Sequence, residues 1–313
     1  MRRYLIVFFC TVVGLLLTPF LFYPGFNGTQ IAAGQWLREC LSIKIAIAEK
    51  LPHPKIIILG GSNALFGFSA AQLEKELQAP AVNMAAHAGL GLDYILYTGK
   101  KVAQPGDVVI LSLEYELYED AKAGYARDFQ VLTADQQYLH DLSFVERWNF
   151  LMSIPPREWW ELTKARIKPE RYEGIYHTSD LSDRGDETNN QPSAADMVRG
   201  TYLADVPPRR YRASRTALRH ILAFAHEARG VRVVVVYPNI IENALGEKIN
   251  NAFFDRIQTT LERNGIEILG RPSDFAFDRG RVFDTVYHQT RIGQEISTHK
   301  LATLLQSRHL VPK

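Results

Sequence analysis

The stretch "KIIILGGSNALFGFSA", residues 55 to 70, joins a strand pattern to a glycine turn and to the start of a helix. Its unbroken isoleucine and leucine residues are typical of a strand covered on both faces, as in parallel sheets. Two glycines and Ser62 follow at once. In open α/β sheets, ligands bind beyond the carboxyl ends of the strands. Ser62 is therefore either a turn or helix-capping residue or a nucleophile, and this stretch leaves both readings open.

Four further segments resemble buried strands, and helical patterns lie between them. Near-continuous Val, Ile and Leu residues mark the clearest of them, "GDVVILSLEYELY" (106–118) and "GVRVVVVYPN" (230–239). Strands that alternate with helices predict parallel βαβ units and an open, doubly wound sheet. We therefore expect an α/β fold whose strands lie near residues 55–60, 81–85, 107–113, 231–237 and 265–269.

The composition excludes few classes of protein. The 313 residues are 46% hydrophobic and 22% charged, which is an ordinary globular balance. A formal net charge of +2 gives no reason to expect a nucleic-acid partner. The histidines show no pairing at the spacing of metal ligands, and no HExxH motif occurs. We therefore predict that the protein uses neither a metal ion nor a cofactor.

The N-terminus carries an uncharged run, residues 4–22, directly after Arg2 and Arg3. This run has about the 20 residues that a helix needs to cross a membrane. The two arginines favour a cytoplasmic start by the positive-inside tendency. We expect residues 1–25 to form a single transmembrane helix in the cytoplasmic (inner) membrane, with the rest of the chain outside the cytoplasm, in the periplasm. The alternative is a cleaved signal peptide, whose apolar region is usually shorter, about 7–15 residues.

Beyond this segment we expect a helical connector at residues 26–50 and one α/β domain at residues 51–313. The alternation of strands and helices breaks between residues 119 and 212, which predicts a mostly helical insertion. Within the insertion, the polar run "HTSDLSDRGDETNNQPSAAD" (177–196) has few apolar residues and predicts a mobile loop.

Near the other end of the chain, "VFDTVYHQTRIGQEIST" (282–298) places Asp284 and His288 four residues apart, just before a helix. A serine hydroxyl becomes a useful nucleophile when a base takes its proton, and a third group should orient that base. Asp284 and His288 supply both roles if their segment packs against the end of the first strand. Taken alone, an Asp-x-x-x-His spacing is common by chance.

Considered together, these motifs resemble the SGNH (GDSL-type) hydrolase superfamily over about residues 55–118 and 213–306. The resemblance implies a flavodoxin-like parallel sheet, an α/β/α sandwich with strand order 2-1-3-4-5. It implies Ser62 as nucleophile, His288 as base and Asp284 as the residue that orients the base. The segment "NMAAHAGLG" (83–91) is similar to the second block of the family. Its glycine, Gly89 here, would hold the oxyanion together with the main-chain N–H of Ser62.

The third block of the family departs from its pattern. The family carries Gly-x-Asn-Asp after a strand, and the asparagine side chain donates to the oxyanion. This chain has "SLEYELY" (112–118), with Glu114 and Glu116 and no asparagine. A carboxylate donates no hydrogen bond unless it is protonated. Three alternatives stay open: Asn63 substitutes as the donor, activity is weak, or activity is lost.

The resemblance implies a membrane-anchored serine acyl esterase or O-acyltransferase that acts on an exported or cell-surface polysaccharide or acylated glycan. The layout is similar to anchored SGNH-like proteins that accompany membrane-bound O-acyltransferases, which implies such an enzyme as a partner. The alternative is a catalytically silent scaffold or polymer-binding component of an export or modification complex. The absent third-block asparagine favours the scaffold, whereas the Ser62, Asp284 and His288 set favours the enzyme.

Overall fold

The computed structural model describes residues 1–119, 125–169, 175–191 and 206–312. The chain divides into two units. Unit 1 consists of Met1–Glu39 and Ala123–Tyr176, and unit 2 consists of Cys40–Lys122 and His177–Lys313.

Unit 2 is built on a parallel sheet. Its strands are β1 (Ile56–Gly60), β2 (Ala81–Asn83), β3 (Val108–Ser112), β4 (Arg232–Val236) and β6 (Glu267–Leu269). They are ordered β2-β1-β3-β4-β6, and every pair in this sheet is parallel. A separate two-stranded parallel sheet is formed by β5 (Ile240–Ile241) and β7 (Ala276–Phe277). The predicted α/β class with a parallel sheet is confirmed, and the strand order is the one that the resemblance implied.

The helices flank these strands in sequence. They are α1 (Arg2–Phe22), α2 (Ala32–Lys50), α3 (Ser62–Gly67), α4 (Ala70–Leu77), α5 (Leu92–Val102), α6 (Tyr125–Ala134), α7 (Gln136–Asp141), α8 (Phe144–Ser153), α9 (Pro156–Ile167), α10 (Arg215–Glu227), α11 (Glu242–Leu245), α12 (Glu247–Arg263) and α13 (Arg291–Ser307). The division between the two units falls within α2.

The core of unit 2 lies along the interior of the sheet, where all residues of the neighbouring strands β1 and β3 are buried. Their register pairs Ile56 with Val108 and Gly60 with Ser112. A Cβ atom on Gly60 would lie 2.0 Å from the carbonyl oxygen of Ser112. Only glycine therefore allows the two strands to stay this close at their carboxyl ends, which is where the candidate site begins.

The described part of the insertion in unit 1, residues 125–169, is helical, as the sequence predicted. In the same unit, the ring of Phe20 in α1 stacks on Phe144 and Trp148, with centroids 5.6 and 5.3 Å away. Among the residues that the structure describes, no helix combines the length and the hydropathy needed to cross a membrane. The expected transmembrane helix at residues 1–25 therefore has no support from the structure.

The predicted mobile loop is wrong for its described part, residues 177–191. Asp186 is buried and accepts hydrogen bonds from the main-chain N–H groups of Ala70 and Ala71, at 2.6 and 3.1 Å. The main-chain N–H of Asn83, at the end of β2, donates to the carbonyl oxygen of Arg184 at 2.8 Å. These polar residues are held because they satisfy backbone groups of α4 and β2, a role that low hydropathy does not reveal. Residues 192–196 lie outside the described residues.

Candidate active site

Ser62 lies at the carboxyl end of β1, where it is the first residue of α3. Its side chain is half-buried. The preceding residue, Gly61, is the N-cap of α3 and has no side chain with which to satisfy the first N–H groups of the helix. Another part of the chain must therefore accept from these groups.

Glu114 performs this capping from the segment that follows β3. Its carboxylate accepts from the main-chain N–H of Gly61 at 3.2 Å and from that of Asn63 at 2.8 Å. A Cβ atom on Gly61 would lie 2.4 Å from Oε1 of Glu114 and 2.5 Å from the main-chain nitrogen of Ala88. Glycine is thus required before Ser62, because a buried carboxylate and the backbone of the loop after β2 both approach the turn.

Burial raises the pKa of Glu114 to about 7. The hydrogen bonds from Asn63 and Gly61 lower this pKa, whereas the neighbouring charge of Glu116 raises it. Glu114 is only 2% exposed, so water does little to stabilise its charge. Both protonation states of this carboxyl are therefore populated near neutral pH.

Asn63 is fully buried, and its side-chain amide joins three elements of unit 2. Nδ2 donates to the hydroxyl of Ser112 at 2.8 Å and lies 3.3 Å from the carbonyl oxygen of the same residue. Oδ1 accepts from the main-chain N–H of Asn239 at 2.7 Å. An oxyanion role for Asn63 stays a prediction, and it would require Nδ2 to leave Ser112.

Asp284 and His288 lie on a tight hairpin that precedes α13. Residues 282 and 289 form an antiparallel bridge, and the main-chain N–H of Phe283 donates to the carbonyl oxygen of His288 at 2.7 Å. At the tip, the hydroxyl of Thr285 accepts from the main-chain N–H groups of Tyr287 and His288, at 3.3 and 3.2 Å. This local turn folds the four-residue spacing so that the two side chains meet.

The predicted pairing of Asp284 with His288 is present, with Nδ1 of the imidazole 2.7 Å from Oδ1 of the carboxylate. The His288 side chain is 4% exposed, and that of Asp284 is 29% exposed. Because an ionised carboxylate only accepts, Nδ1 carries the proton in this pair and Nε2 keeps its lone pair. A general base that acts on serine needs this tautomer.

His288 lies against the helix that Ser62 begins. Its imidazole stacks on the ring of Phe66 in α3, with centroids 4.3 Å apart and planes 6° from parallel. Ser62 and Phe66 are one helical turn apart, and residues at this spacing share a face of a helix. The structure therefore places the imidazole of His288 against α3, at a residue one helical turn from Ser62. A direct hydrogen bond between Ser62 and His288 stays a prediction.

Glu116 holds the hairpin through Tyr287, the residue before His288. The hydroxyl of Tyr287 donates to Oε2 of Glu116 at 2.8 Å, and the hydroxyl of Tyr211 lies 3.3 Å from Oε1. Burial, and then the charge of Glu116, raises the pKa of Tyr287 well above its usual range. Tyr287 therefore remains a neutral donor at physiological pH.

The two carboxylates after β3 thus hold two different parts of the candidate site. Glu114 holds the turn that carries Ser62, and Glu116 holds the hairpin that carries His288. In the sequence, both residues stand out only because the family asparagine is absent, and these contacts are not predicted. Their signal was available: two carboxylates follow a buried strand at the sheet edge where ligands bind.

Gly89 lies in the loop after β2, within a short 3₁₀ turn at Ala88–Leu90. The loop runs beside β1, because the main-chain N–H of Ala86 lies 3.4 Å from the carbonyl oxygen of Gly60. Gly89 is exposed, and a Cβ atom there would lie 3.0 Å from Nδ1 of His87. The loop is therefore next to the Ser62 turn, while the role of the Gly89 N–H as an oxyanion donor stays a prediction.

Within the described ranges, no group of three or more His, Cys, Asp or Glu side chains is arranged to hold a metal ion. Comparison with family models, curated proteins and solved structures gave no match to this chain. The assignment of chemistry therefore rests on the geometry of the site.

Proposed function

We propose that the protein is an SGNH-like serine acyl esterase or O-acyltransferase that acts on an exported or cell-surface polysaccharide. One observation carries this proposal: the hydrogen-bonded pair of Asp284 and His288 stacks on Phe66, in the helix that begins with Ser62. A buried imidazole with an ordered tautomer on that face of the helix is what a serine nucleophile needs.

In this mechanism Nε2 of His288 takes the proton of Ser62 as its Oγ atom attacks the acyl carbonyl carbon. The main-chain N–H groups of Ser62 and Gly89 hold the oxyanion that forms. The intermediate then collapses, and His288 gives the proton to the departing alcohol, which leaves an acyl group on Ser62. Water or a sugar hydroxyl next gives its proton to His288 and attacks the acyl carbonyl carbon. As the bond from the acyl group to Ser62 Oγ breaks, His288 returns that proton to Oγ and both residues regain their starting state. Asp284 keeps the imidazole oriented throughout.

The proposed place of action is the outer side of the cytoplasmic membrane, with a membrane-bound O-acyltransferase as the partner that supplies acyl groups. Large apolar side chains on α1 support association with a membrane, since Phe8, Phe9 and Leu21 are 69%, 67% and 74% exposed. Contiguous exposed apolar surface of this kind marks a membrane or protein contact. Arg2 and Arg3, the first two residues of α1, favour a cytoplasmic N-terminus.

Turnover of a simple acyl ester tests the proposal. The full chain should release phenol from an aryl acetate, and Ser62→Ala should reduce this rate to background. Adding an oligosaccharide acceptor separates the two activities, because a transferase gives acetylated sugar and an esterase gives acetate. Turnover that survives in Ser62→Ala would contradict the proposal.

A second candidate, a silent scaffold that binds polymer, is favoured by the contacts of Glu114 and Asn63. Glu114 is an acceptor where the family has a donor, and both amide hydrogens of Asn63 face Ser112. Loss of one oxyanion donor typically costs about 10²–10³ in turnover. The scaffold predicts polymer binding that is equal in the wild-type chain and in Ser62→Ala, with no ester turnover in either.

A further inference from the structure

Building on the proposed function, we propose that Glu114 is a positioning residue, which holds the turn that carries Ser62 through the main-chain N–H groups of Gly61 and Asn63. These two bonds, at 3.2 and 2.8 Å, come from the residues on either side of Ser62. They fix the direction in which the first turn of α3 leaves β1. The nucleophile is therefore oriented by a side chain that does not touch the reacting atoms.

The groups of the turn around the Glu114 carboxylate are arranged for it to accept hydrogen bonds. The groups of the turn that face it are N–H donors, and Gly61 has no room for a side chain beside it. Side-chain truncation would leave these N–H groups buried without a partner, because the capping residue itself is a glycine. Such unsatisfied N–H groups cost more than a hydrogen bond contributes when it is made.

The protonation state of Glu114 decides how well it holds the turn. An ionised carboxylate offers two acceptor oxygens, whereas a protonated one carries a hydrogen on one of them and becomes a donor there. The ionised form therefore holds both N–H groups. Because burial places the pKa of Glu114 at about 7, the change from one form to the other takes place near neutral pH.

The charged and titratable groups around Glu114 come from three segments. Glu116 and Tyr118 lie on its own segment and interact with it electrostatically. Further titratable groups at this edge of the sheet are His87, on the loop after β2, and Asp284, Tyr287 and His288, on the hairpin. The turn itself contributes only neutral N–H donors. A pH measurement must therefore separate Glu114 from the imidazoles.

The ratio of the wild-type and Glu114→Gln labelling rates separates the effect of Glu114 from that of the histidines. Ser62 is labelled with a fluorophosphonate in the wild-type chain and in Glu114→Gln, and the histidines then affect both rates alike. The glutamine has one acceptor oxygen and one donor group, as the protonated acid has. The rates should agree within about twofold at about pH 6, and the variant should be about tenfold slower at about pH 8, as expected for a lost bond to a charged group.

The matched control is Glu119→Gln. Glu119 lies in the same segment after β3, but it accepts from Arg209 and from the main-chain N–H of Arg212, away from the turn. Its rate should equal that of the wild type at both pH values. A wild-type to Glu114→Gln ratio that is independent of pH, as for a merely structural residue, would overturn the inference. So would a variant that is faster at high pH, because the charge of Glu114 would then oppose the oxyanion.

Amide hydrogen exchange tests whether ionised Glu114 holds the turn, and it needs neither the fluorophosphonate nor the variant. In the wild-type chain, the protection factors of the Gly61 and Asn63 amides, taken relative to those of other core amides of the same sheet, should rise as the pH passes through about 7, the pKa of Glu114. The relative value is used because a change in global stability alters the protection of all core amides together. A constant relative protection would overturn the inference. Failure of the wild-type chain to label, with the exchange result intact, would contradict the proposed function instead.

Discussion

The hydroxyl of Tyr287 donates a hydrogen bond of 2.8 Å to the carboxylate of Glu116, which joins the hairpin of His288 to the segment after β3. Both ends of this bond lie within two residues of the candidate site: His288 follows Tyr287, and Glu114 lies two residues before Glu116. The position of the proposed base is therefore coupled to the same segment that holds the proposed nucleophile.

Tyr287→Phe should weaken this coupling. The substitution keeps the ring but removes a hydrogen bond to a charged group, so the free energy of unfolding should fall by about 1–2 kcal/mol. Ester turnover should fall several-fold more than that of Tyr97→Phe, a matched control on α5. Urea denaturation and initial rates measure the two effects. Equal turnover in the two variants would show that the bond does not position His288.

Asn63→Ala should destabilise the fold strongly. Three polar partners of the Asn63 amide are in the buried end of the sheet: the hydroxyl and carbonyl of Ser112 and the main-chain N–H of Asn239. Leaving these groups unsatisfied should cost about 2–3 kcal/mol of unfolding free energy, as measured by urea denaturation. Asn264→Ala, at an exposed position, is the matched control. A cost below that of the control would contradict the structural role of Asn63.

Glu114 should make stability decrease as the pH rises. Its pKa is raised from 4.5 to about 7 in the folded protein, so between these values the folded state binds more protons than the unfolded state. The stability from this group is complete below pH 4.5 and is lost as the pH rises through about 7, by about 3 kcal/mol.

The variant Glu114→Gln does not titrate and lacks this loss. The difference in unfolding free energy between the wild type and the variant should therefore shrink by roughly 2–3 kcal/mol between about pH 5 and about pH 8. Urea denaturation at the two pH values measures it, with the exposed Glu262→Gln as the control. A difference that is constant or grows with pH would contradict the burial effect on Glu114.

The proposed location can be tested with a reporter fused after the last residue of the full chain. Because uncharged residues 4–22 follow Arg2 and Arg3, the reporter should be active in the exported compartment and should sediment with membranes. Arg2→Glu combined with Arg3→Glu should reduce the exported fraction. A soluble product shortened at its N-terminus would instead indicate a cleaved signal peptide.

The sequence predicts the sheet because its central strands are buried on both faces and therefore consist of apolar runs. Residues 56–59 and 233–236 are unbroken apolar runs, and the structure places strands at Ile56–Gly60 and Arg232–Val236. The pairing of Asp284 with His288 was also readable, because a four-residue spacing is closed by a local turn. Contacts between distant segments were not readable. From the sequence, Glu114 and Glu116 indicate only that the oxyanion-donating asparagine of the family is absent. A sequence pattern does not show which buried N–H or hydroxyl group a carboxylate will contact.

The same limit explains the polar run at residues 177–191. Its composition indicates solvent exposure, yet Asp186 is buried where it accepts from the first N–H groups of α4. A carboxylate of this kind is stabilised by backbone donors far away in sequence, and hydropathy counts only its polarity.

Peptide mapping after fluorophosphonate treatment reports whether Ser62 is an activated nucleophile, because the probe forms a covalent bond with such a serine. We expect one adduct in the wild-type chain, on the peptide that contains Ser62. Ser62→Ala should carry no adduct, and His288→Ala should be labelled about 10²–10⁴ times more slowly, since it lacks the general base. An unlabelled wild-type chain, or an adduct that persists in Ser62→Ala, would show that Ser62 is not the nucleophile.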